Sequence, residues 1–186
     1  DLSTRGRDVA VIFADGAGAV CVEGVESDTA TGILASALHT DGKYARSLMV
    51  EMPSPLTNPC FKPEHLEEGR QYPSMDGTRI FKLAVRKLPE VTLETLMKAK
   101  LTLDDVNLII PHQANLRINQ FYQKSMNLPD DRIYNNIQNY GNTTAASIPM
   151  AFDEAIEKGL TGKKDDIVMF IALGAGVTWG GLLYKF

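Results

Sequence analysis

The sequence is poor in the residues that mark several common functions. Its 186 residues include two cysteines, three histidines and one tryptophan. Two thiols, Cys21 and Cys60, cannot build a disulfide framework and fit a reducing cytoplasm. The histidines, His39, His65 and His112, lack the spacing and the Cys or Asp companions of a zinc site, so no metal is expected. No apolar run reaches the roughly 20 residues that cross a bilayer. The richest, Ile167–Val177, is broken by Gly174 and Gly176, and no membrane association is expected. Lys plus Arg total 19 against 23 Asp plus Glu, a net charge of −4. That balance argues against a nucleic-acid partner bound through phosphate neutralisation. There is no P-loop and no GxSxG. Gly16-Ala-Gly18 and Gly174-Ala-Gly176 lack the third glycine of a dinucleotide fingerprint, and a strand-like segment follows each. These glycines are expected to permit a tight turn or a close approach of backbone to a ligand.

Hydrophobic residues make up 44% of the chain and charged residues 23%, enough apolar content for a buried core. The opening, Asp1–Arg7, has no initiator methionine, basic n-region or apolar h-region. It runs straight into an apolar segment and is expected to lie inside a longer polypeptide. Val9–Ala14, Val20–Glu23 and Ile33–Leu38 read as extended segments. Residues 40–79 are punctuated by Pro53, Pro55, Pro59, Pro63 and Pro73 and should be largely irregular. Ile80, Leu83, Ala84, Leu88, Val91 and Thr95 recur at helical spacing through about Lys100, with Pro89 expected to kink or split the helix. A turn capped by Thr102 and Asp105 leads to a strand over Asn107–Ile110. A helix over Ala114–Met126 and a short extended piece at Ile133–Ile137 follow. The next helix, with Ile148, Phe152, Ala155 and Ile156 inward, ends at Gly159. Strands at Ile167–Leu173 and Thr178–Phe186 complete an α/β pattern, a mixed sheet covered by helices.

His39 and His65 read as turn and surface residues. His112 stands where a buried strand opens into a helix, in Pro111-His-Gln-Ala-Asn115, a position at which α/β proteins gather ligands. A capping histidine with no further role is the equal alternative. Asn142, in Gly141-Asn-Thr143, also lies between an extended piece and a helix, and alone is an ordinary turn residue. Together, an imidazole N–H and a carboxamide N–H aimed at one point would stabilise an oxygen gaining negative charge, and neither is a strong nucleophile. Cys21 reads as a core filler in an apolar strand, and Cys60 sits in a loop with only Lys62 nearby.

The segment Ile110–Arg117, Ile-Pro-His-Gln-Ala-Asn-Leu-Arg, resembles the signature of β-ketoacyl-acyl-carrier-protein synthase III, a thiolase-superfamily condensing enzyme. Tyr140–Pro149 around Asn142, the glycine turn and strand of Phe170–Gly180, and the Phe13–Val20 segment are similar to the same family. The resemblance implies a thiolase-like layered α/β fold. Residues 1–38 would then be the final strands of an N-terminal half, and residues 39–186 the C-terminal condensing-enzyme domain. It implies a Cys-His-Asn site in which a cysteine takes an acyl group from acyl-CoA. Malonyl on acyl carrier protein then decarboxylates, and its enolate attacks the enzyme thioester. His112 and Asn142 would steady the enolate oxygen. Gly174, Ala175 and Gly176 would form the oxyanion loop. Gln113, Ala114, Asn115, Leu116 and Arg117 would meet the carrier protein, and Phe81 would line the pantetheine channel. Arg117 and Lys124, two turns apart on one helix, suit an acidic partner, although a solvated face is the commoner meaning of such a pair.

The family's cysteine matches neither Cys21 nor Cys60 and would lie upstream, so this chain alone is expected to be inactive. The resemblance further implies a homodimer in the cytoplasm and no cofactor beyond coenzyme A and phosphopantetheine thioesters. The uncovered half of a two-part core would expose a large apolar face. A condensing enzyme of secondary metabolism, or a non-catalytic module that binds carrier protein, would carry many of the same residues.

Overall fold

The computed structural model describes residues 7–186. Its elements in chain order are α1 (Arg7–Ala10), β1 (Gly32–Thr40), β2 (Leu48–Val50), α2 (Pro63–Glu67), β3 (Pro73–Met75) and α3 (Gly77–Ala99). They continue with β4 (Leu108–Pro111), α4 (Leu116–Ser125), α5 (Ile137–Tyr140), α6 (Ser147–Glu157), β5 (Ile167–Gly174) and β6 (Thr178–Lys185). Four strands form one sheet in the order β1-β6-β5-β4, and β2 and β3 form a separate ribbon. In the main sheet β4 and β5 are parallel, while β5–β6 and β1–β6 are antiparallel.

Alternation along the strands builds two cores, because successive side chains of a strand point to opposite faces. Ile109 of β4, with Met169 and Ile171 of β5, faces α3 and α4, where Leu83, Leu88, Ile118 and Tyr122 are buried. Leu108, Ile110 and Val168 point the other way, onto Ala151 and Ala155 of α6. All four residues of β4 are buried, as a strand covered on both faces requires.

The periodic residues of α3 do bury, and the helix continues through Pro89 without a split. Proline removes one ladder N–H, but Leu88, Val91 and Thr92 beside it are at most 4% exposed, so packing holds the helix across it. Asp76 Oδ1 caps its start by accepting from Arg79 N–H at 3.0 Å, and Lys100 ends it in the left-handed region. In α6 the inward face is Ser147, Ala151 and Ala155 rather than the Ile148 and Ile156 series. Small side chains let this helix sit close to the sheet. Ile156 is left exposed and Phe152 packs at the flank against Phe170, with ring centroids 5.0 Å apart.

Two expectations fail near the start. Val9–Ala14 is not a strand: Arg7–Ala10 forms a helical turn, and the one β-bridge there joins Phe13 to Asn142. Val20–Glu23 has no ladder partner among the described residues, so Cys21 is exposed rather than a core filler. Apolar β-branched residues form a strand only where a neighbouring strand takes up their backbone groups. The expected division between residues 38 and 39 falls inside β1, which pairs with β6 from Gly32 through Thr40. Ile133–Ile137 is likewise shorter than expected: Ile133 makes a single bridge to Ile109, and Ile137 already begins α5.

On the α6 side, the β1–β6 end of the sheet is uncovered among the described residues. A trough of about 430 Å³ there is lined by Ser36, Leu38, Phe170, Ala172, Gly180 and Leu182, with Ile148 at its edge. Leu38 is 77% exposed, an unusual state for a leucine inside a strand.

Candidate active site

His112 continues the parallel ladder one residue past β4, its N–H donating to Ile171 O at 2.8 Å. The imidazole is largely buried beside a cavity of about 30 Å³ that it lines together with Ile80, Ala84, Ala114 and Leu173. These apolar neighbours desolvate the ring and pull its pKa from the usual 6.5 down to about 4. At neutral pH it is therefore an uncharged imidazole. Its Nδ1 lies 2.6 Å from Ser147 Oγ, at the first residue of α6.

Asn142 is held by its own backbone on one side and its side chain on the other. Its N–H donates to Ile12 O and its carbonyl accepts from Ala14 N–H, so the Ile12–Ala14 segment runs alongside it. Asn142 Oδ1 accepts from Thr144 N–H at 2.9 Å. That bond identifies the carboxamide oxygen and leaves Nδ2, a two-proton donor, to face elsewhere. One 3₁₀ turn, Thr144–Ala146, then joins Asn142 to Ser147. The start of α6 thus brings the two junctions together: Ser147 touches the His112 ring, and Asn142 lies on the turn leading into that helix. Gly16 and Gly18 are required by the same packing. A Cβ on Gly16 would stand 2.7 Å from Thr143 Cγ2, and one on Gly18 would stand 2.4 Å from Pro149 Cγ. The close approach of this glycine pair is to the protein's own Asn142 turn and the start of α6, where a ligand was the expectation.

Gly174, Ala175 and Gly176 connect β5 to β6, directly after Leu173 of the His112 cavity. Ala175 is exposed. Gly176 has φ of 127°, and a Cβ there would meet Thr178 Oγ1 at 2.6 Å, so glycine is required. Phe81 is half-buried on α3, next to Ile80, and meets Phe121 of α4 edge-on at 6.2 Å.

The Gln113–Arg117 stretch divides into two kinds of residue. Gln113 does not suit a docking surface, because its side chain is internal and 1% exposed. Its Nε2 donates to Pro111 O and Tyr134 O at 2.7 and 3.3 Å. Its Oε1 accepts from Asn136 and Ile137 N–H at 3.1 and 3.2 Å. All its hydrogen-bonding capacity goes into tying the His112 turn to the loop before α5. Asn136 extends the strut to α6 through Glu154 at 2.7 Å. Asn115 caps α4 by accepting from Arg117 N–H at 2.9 Å. Ala114 and Leu116 are partly buried. Arg117 and Lys124 are exposed and form no ion pair with another described residue.

The remaining candidates lie apart from this arrangement. His65 is buried rather than solvated, because its Nδ1 accepts from Lys62 N–H at 3.1 Å and caps the short helix α2. His39 pairs with Glu94 at 2.6 Å and stacks on Trp179. Cys21 and Cys60 are both exposed. Among the described residues no three His, Cys, Asp or Glu side chains stand together as metal ligands, and no helix is long and apolar enough to cross a membrane.

Sequence reasoning passed over Ser147, Gln113 and Asn136 as supports. The available signal was a hydroxyl at the start of the helix following Asn142, and an amide beside the histidine at the end of a fully apolar strand.

Comparisons with known proteins follow the same lines. Residues 96–186 match the family profile described as 3-oxoacyl-(acyl-carrier-protein) synthase III C terminal, and residues 1–42 match the profile 3-oxoacyl-(acyl-carrier-protein) synthase III. A β-ketoacyl-acyl-carrier-protein synthase III of Roseiflexus castenholzii is 42% identical over 179 residues, covering 96% of this chain and 53% of that protein. One of Caldanaerobacter subterraneus subsp. tengcongensis is 40% identical over 184 residues, 99% of this chain and 54% of the relative. The crystal structure of a synthase III from Thermus thermophilus superimposes with a TM-score of 0.80 at 31% identity, covering 100% of this chain and 55% of that one. The chain spans about half the length of the curated relatives it matches.

Proposed function

Because the chain belongs to the 3-oxoacyl-acyl-carrier-protein synthase III family and has its thiolase-like α/β fold, we propose that it supplies the decarboxylation half of a condensing-enzyme active site. The reaction is the priming step of fatty-acid synthesis: an acyl group from acyl-CoA is joined to malonyl-acyl carrier protein. The malonyl thioester loses carbon dioxide when its Cα–carboxylate bond breaks. The electron pair moves into the thioester carbonyl and gives an enolate oxygen. His112 Nε2–H and Asn142 Nδ2–H donate to that oxygen. The enolate carbon then attacks the acyl-cysteine carbonyl, whose oxyanion is held near the Ala175 amide, and the cysteine thiolate departs.

Two observations support this reading: burial keeps the His112 imidazole uncharged, and on the turn into α6, whose first residue touches that ring, Thr144 fixes the Asn142 carboxamide so that its N–H₂ is available. Neutral donors stabilise a developing oxyanion without first binding the substrate carboxylate as a full charge would. The leaving carboxylate loses its charge as carbon dioxide, so a cation beside it would hold the ground state.

The acyl-accepting cysteine is assigned to sequence outside these 186 residues. Neither Cys21 nor Cys60 resembles its motif, and the 186 residues alone are expected to be inactive. The same outside sequence would cover the apolar trough at Leu38, Phe170 and Leu182. Arg117 and Lys124 support docking of an acidic carrier protein, and Phe81 support for the pantetheine arm. The working protein is taken as a cytoplasmic homodimer that needs no cofactor beyond its thioester substrates.

The test is made in the full-length protein. His112→Ala and Asn142→Ala should each lower malonyl-thioester decarboxylation by about 100-fold or more, the size of effect of one lost oxyanion donor. Transfer of the acyl group to cysteine should survive far better. Equal loss of both half-reactions would refute the assignment.

A further inference from the structure

We infer that Ser147 is a positioning residue that holds His112 in the Nε2–H tautomer, so that the ring offers a donor, not a lone pair, to the reacting oxygen. The inference deepens the reading of His112 given above and rests on it. Its starting point is the local hydrogen-bond accounting. Ser147 Oγ has two partners among the described residues, His112 Nδ1 at 2.6 Å and the backbone N–H of Gln113 at 3.2 Å. The residue is 2% exposed.

A serine hydroxyl has one proton to give and two lone pairs to fill. The Gln113 amide can only donate, so it occupies one lone pair. If Nδ1 also carried a proton, Ser147 would face two donors and its own buried proton would have no described acceptor. Leaving a buried polar group unpaired is costly. The arrangement that uses every group has Ser147 O–H donating to a bare Nδ1. A neutral imidazole has one N–H, which must then sit on Nε2.

The hydroxyl is rigidly placed. Ser147 N–H bonds to Thr144 O at the start of α6, and Gln113 is locked by the four bonds of its side chain. The donated O–H also draws electron density from the ring and sharpens Nε2–H as a donor. Without the hydroxyl, Nδ1–H would no longer meet a competing donor proton, and the wrong tautomer would turn a lone pair toward the enolate.

The experiment uses full-length protein labelled with ¹⁵N in the histidine rings, with the His112 signals identified by their loss in His112→Gln. Wild type should show a protonated Nε2 and an unprotonated Nδ1. Ser147→Ala should lose that pattern and decarboxylate malonyl thioester about 10- to 100-fold more slowly, taking as the guide the range seen when the partner behind a metal-bound histidine is removed. Its KM should stay close to wild type, because binding is untouched. Ser147→Thr, which keeps the hydroxyl, should restore both spectrum and rate. A protonated Nδ1 in wild type overturns the inference whatever the variants do, as does an unchanged tautomer in Ser147→Ala. If the spectra follow the expectation while His112→Ala decarboxylates normally, the functional reading fails and the tautomer assignment stands.

Discussion

Replacing Gln113 with leucine separates an internal strut from a docking contact. The two side chains are similar in size, so the substitution leaves no large cavity, and its cost is polar. Gln113 Oε1 is the acceptor for the N–H groups of Asn136 and Ile137, at 3.1 and 3.2 Å, and neither amide has another acceptor among the described residues. Leucine strands both. At about 1–3 kcal/mol for each buried donor left unpaired, the loss is about 2–6 kcal/mol, before counting the carbonyls of Pro111 and Tyr134. That is a large share of the ~5–15 kcal/mol that holds a domain folded. Urea unfolding of the full-length protein followed by circular dichroism would read it as a lower midpoint with little change in slope. Arg117→Glu should behave oppositely. Its guanidinium is exposed and unpaired among the described residues, so unfolding stays put while KM for carrier-linked malonate rises. If Gln113→Leu leaves the urea midpoint alone and weakens carrier binding instead, the strut argument is wrong and Gln113 returns to the docking surface.

Two further outcomes follow from the site. Because burial lowers the His112 pKa from 6.5 to about 4, the unfolded chain takes up a proton in that interval that the folded chain refuses. Stability should therefore fall as pH drops from about 6.5 to about 4, by up to about 3 kcal/mol, and be independent of this group above about pH 7. Urea midpoints of wild type and His112→Gln across that range isolate the effect, and parallel curves would contradict it. Gly176→Ala forces a Cβ to within 2.6 Å of Thr178 Oγ1 at φ of 127° and should cost about 1–3 kcal/mol, read as a lower melting temperature. Gly42→Ala, with open space around it and an ordinary φ, is the control that should change little.

Reading the sequence alone succeeded where a local pattern and its tertiary partner agree. The α3 stripe and the Thr102–Asp105 cap are written in nearby residues and are found where the pattern puts them, and β4 lies one residue later than expected, at Leu108–Pro111 instead of Asn107–Ile110. It failed where the partner decides. Val9–Ala14 has the composition of a buried strand but among the described residues has only the Phe13–Asn142 bridge to pair with. On α6, Ala155 faces inward as expected and Phe152 packs at the flank, but Ile148 and Ile156, assumed to point in as large residues, do not lead the buried face. Close contact with the sheet instead selects the small ones, Ser147, Ala151 and Ala155.

The candidate site divides the same way. The residue types and their places between strand and helix, His112 after β4 and Asn142 before α6, are legible in the letters, since chain order sets which end of an element a residue occupies. Three things arise only on folding: the contact of Ser147 with the His112 ring, the diversion of Gln113 from the surface into an internal strut, and the burial that strips His112 of its charge. Each depends on groups distant in the chain meeting at hydrogen-bond range away from water. Spacing along a sequence does not specify those distances, whereas helix and sheet packing does.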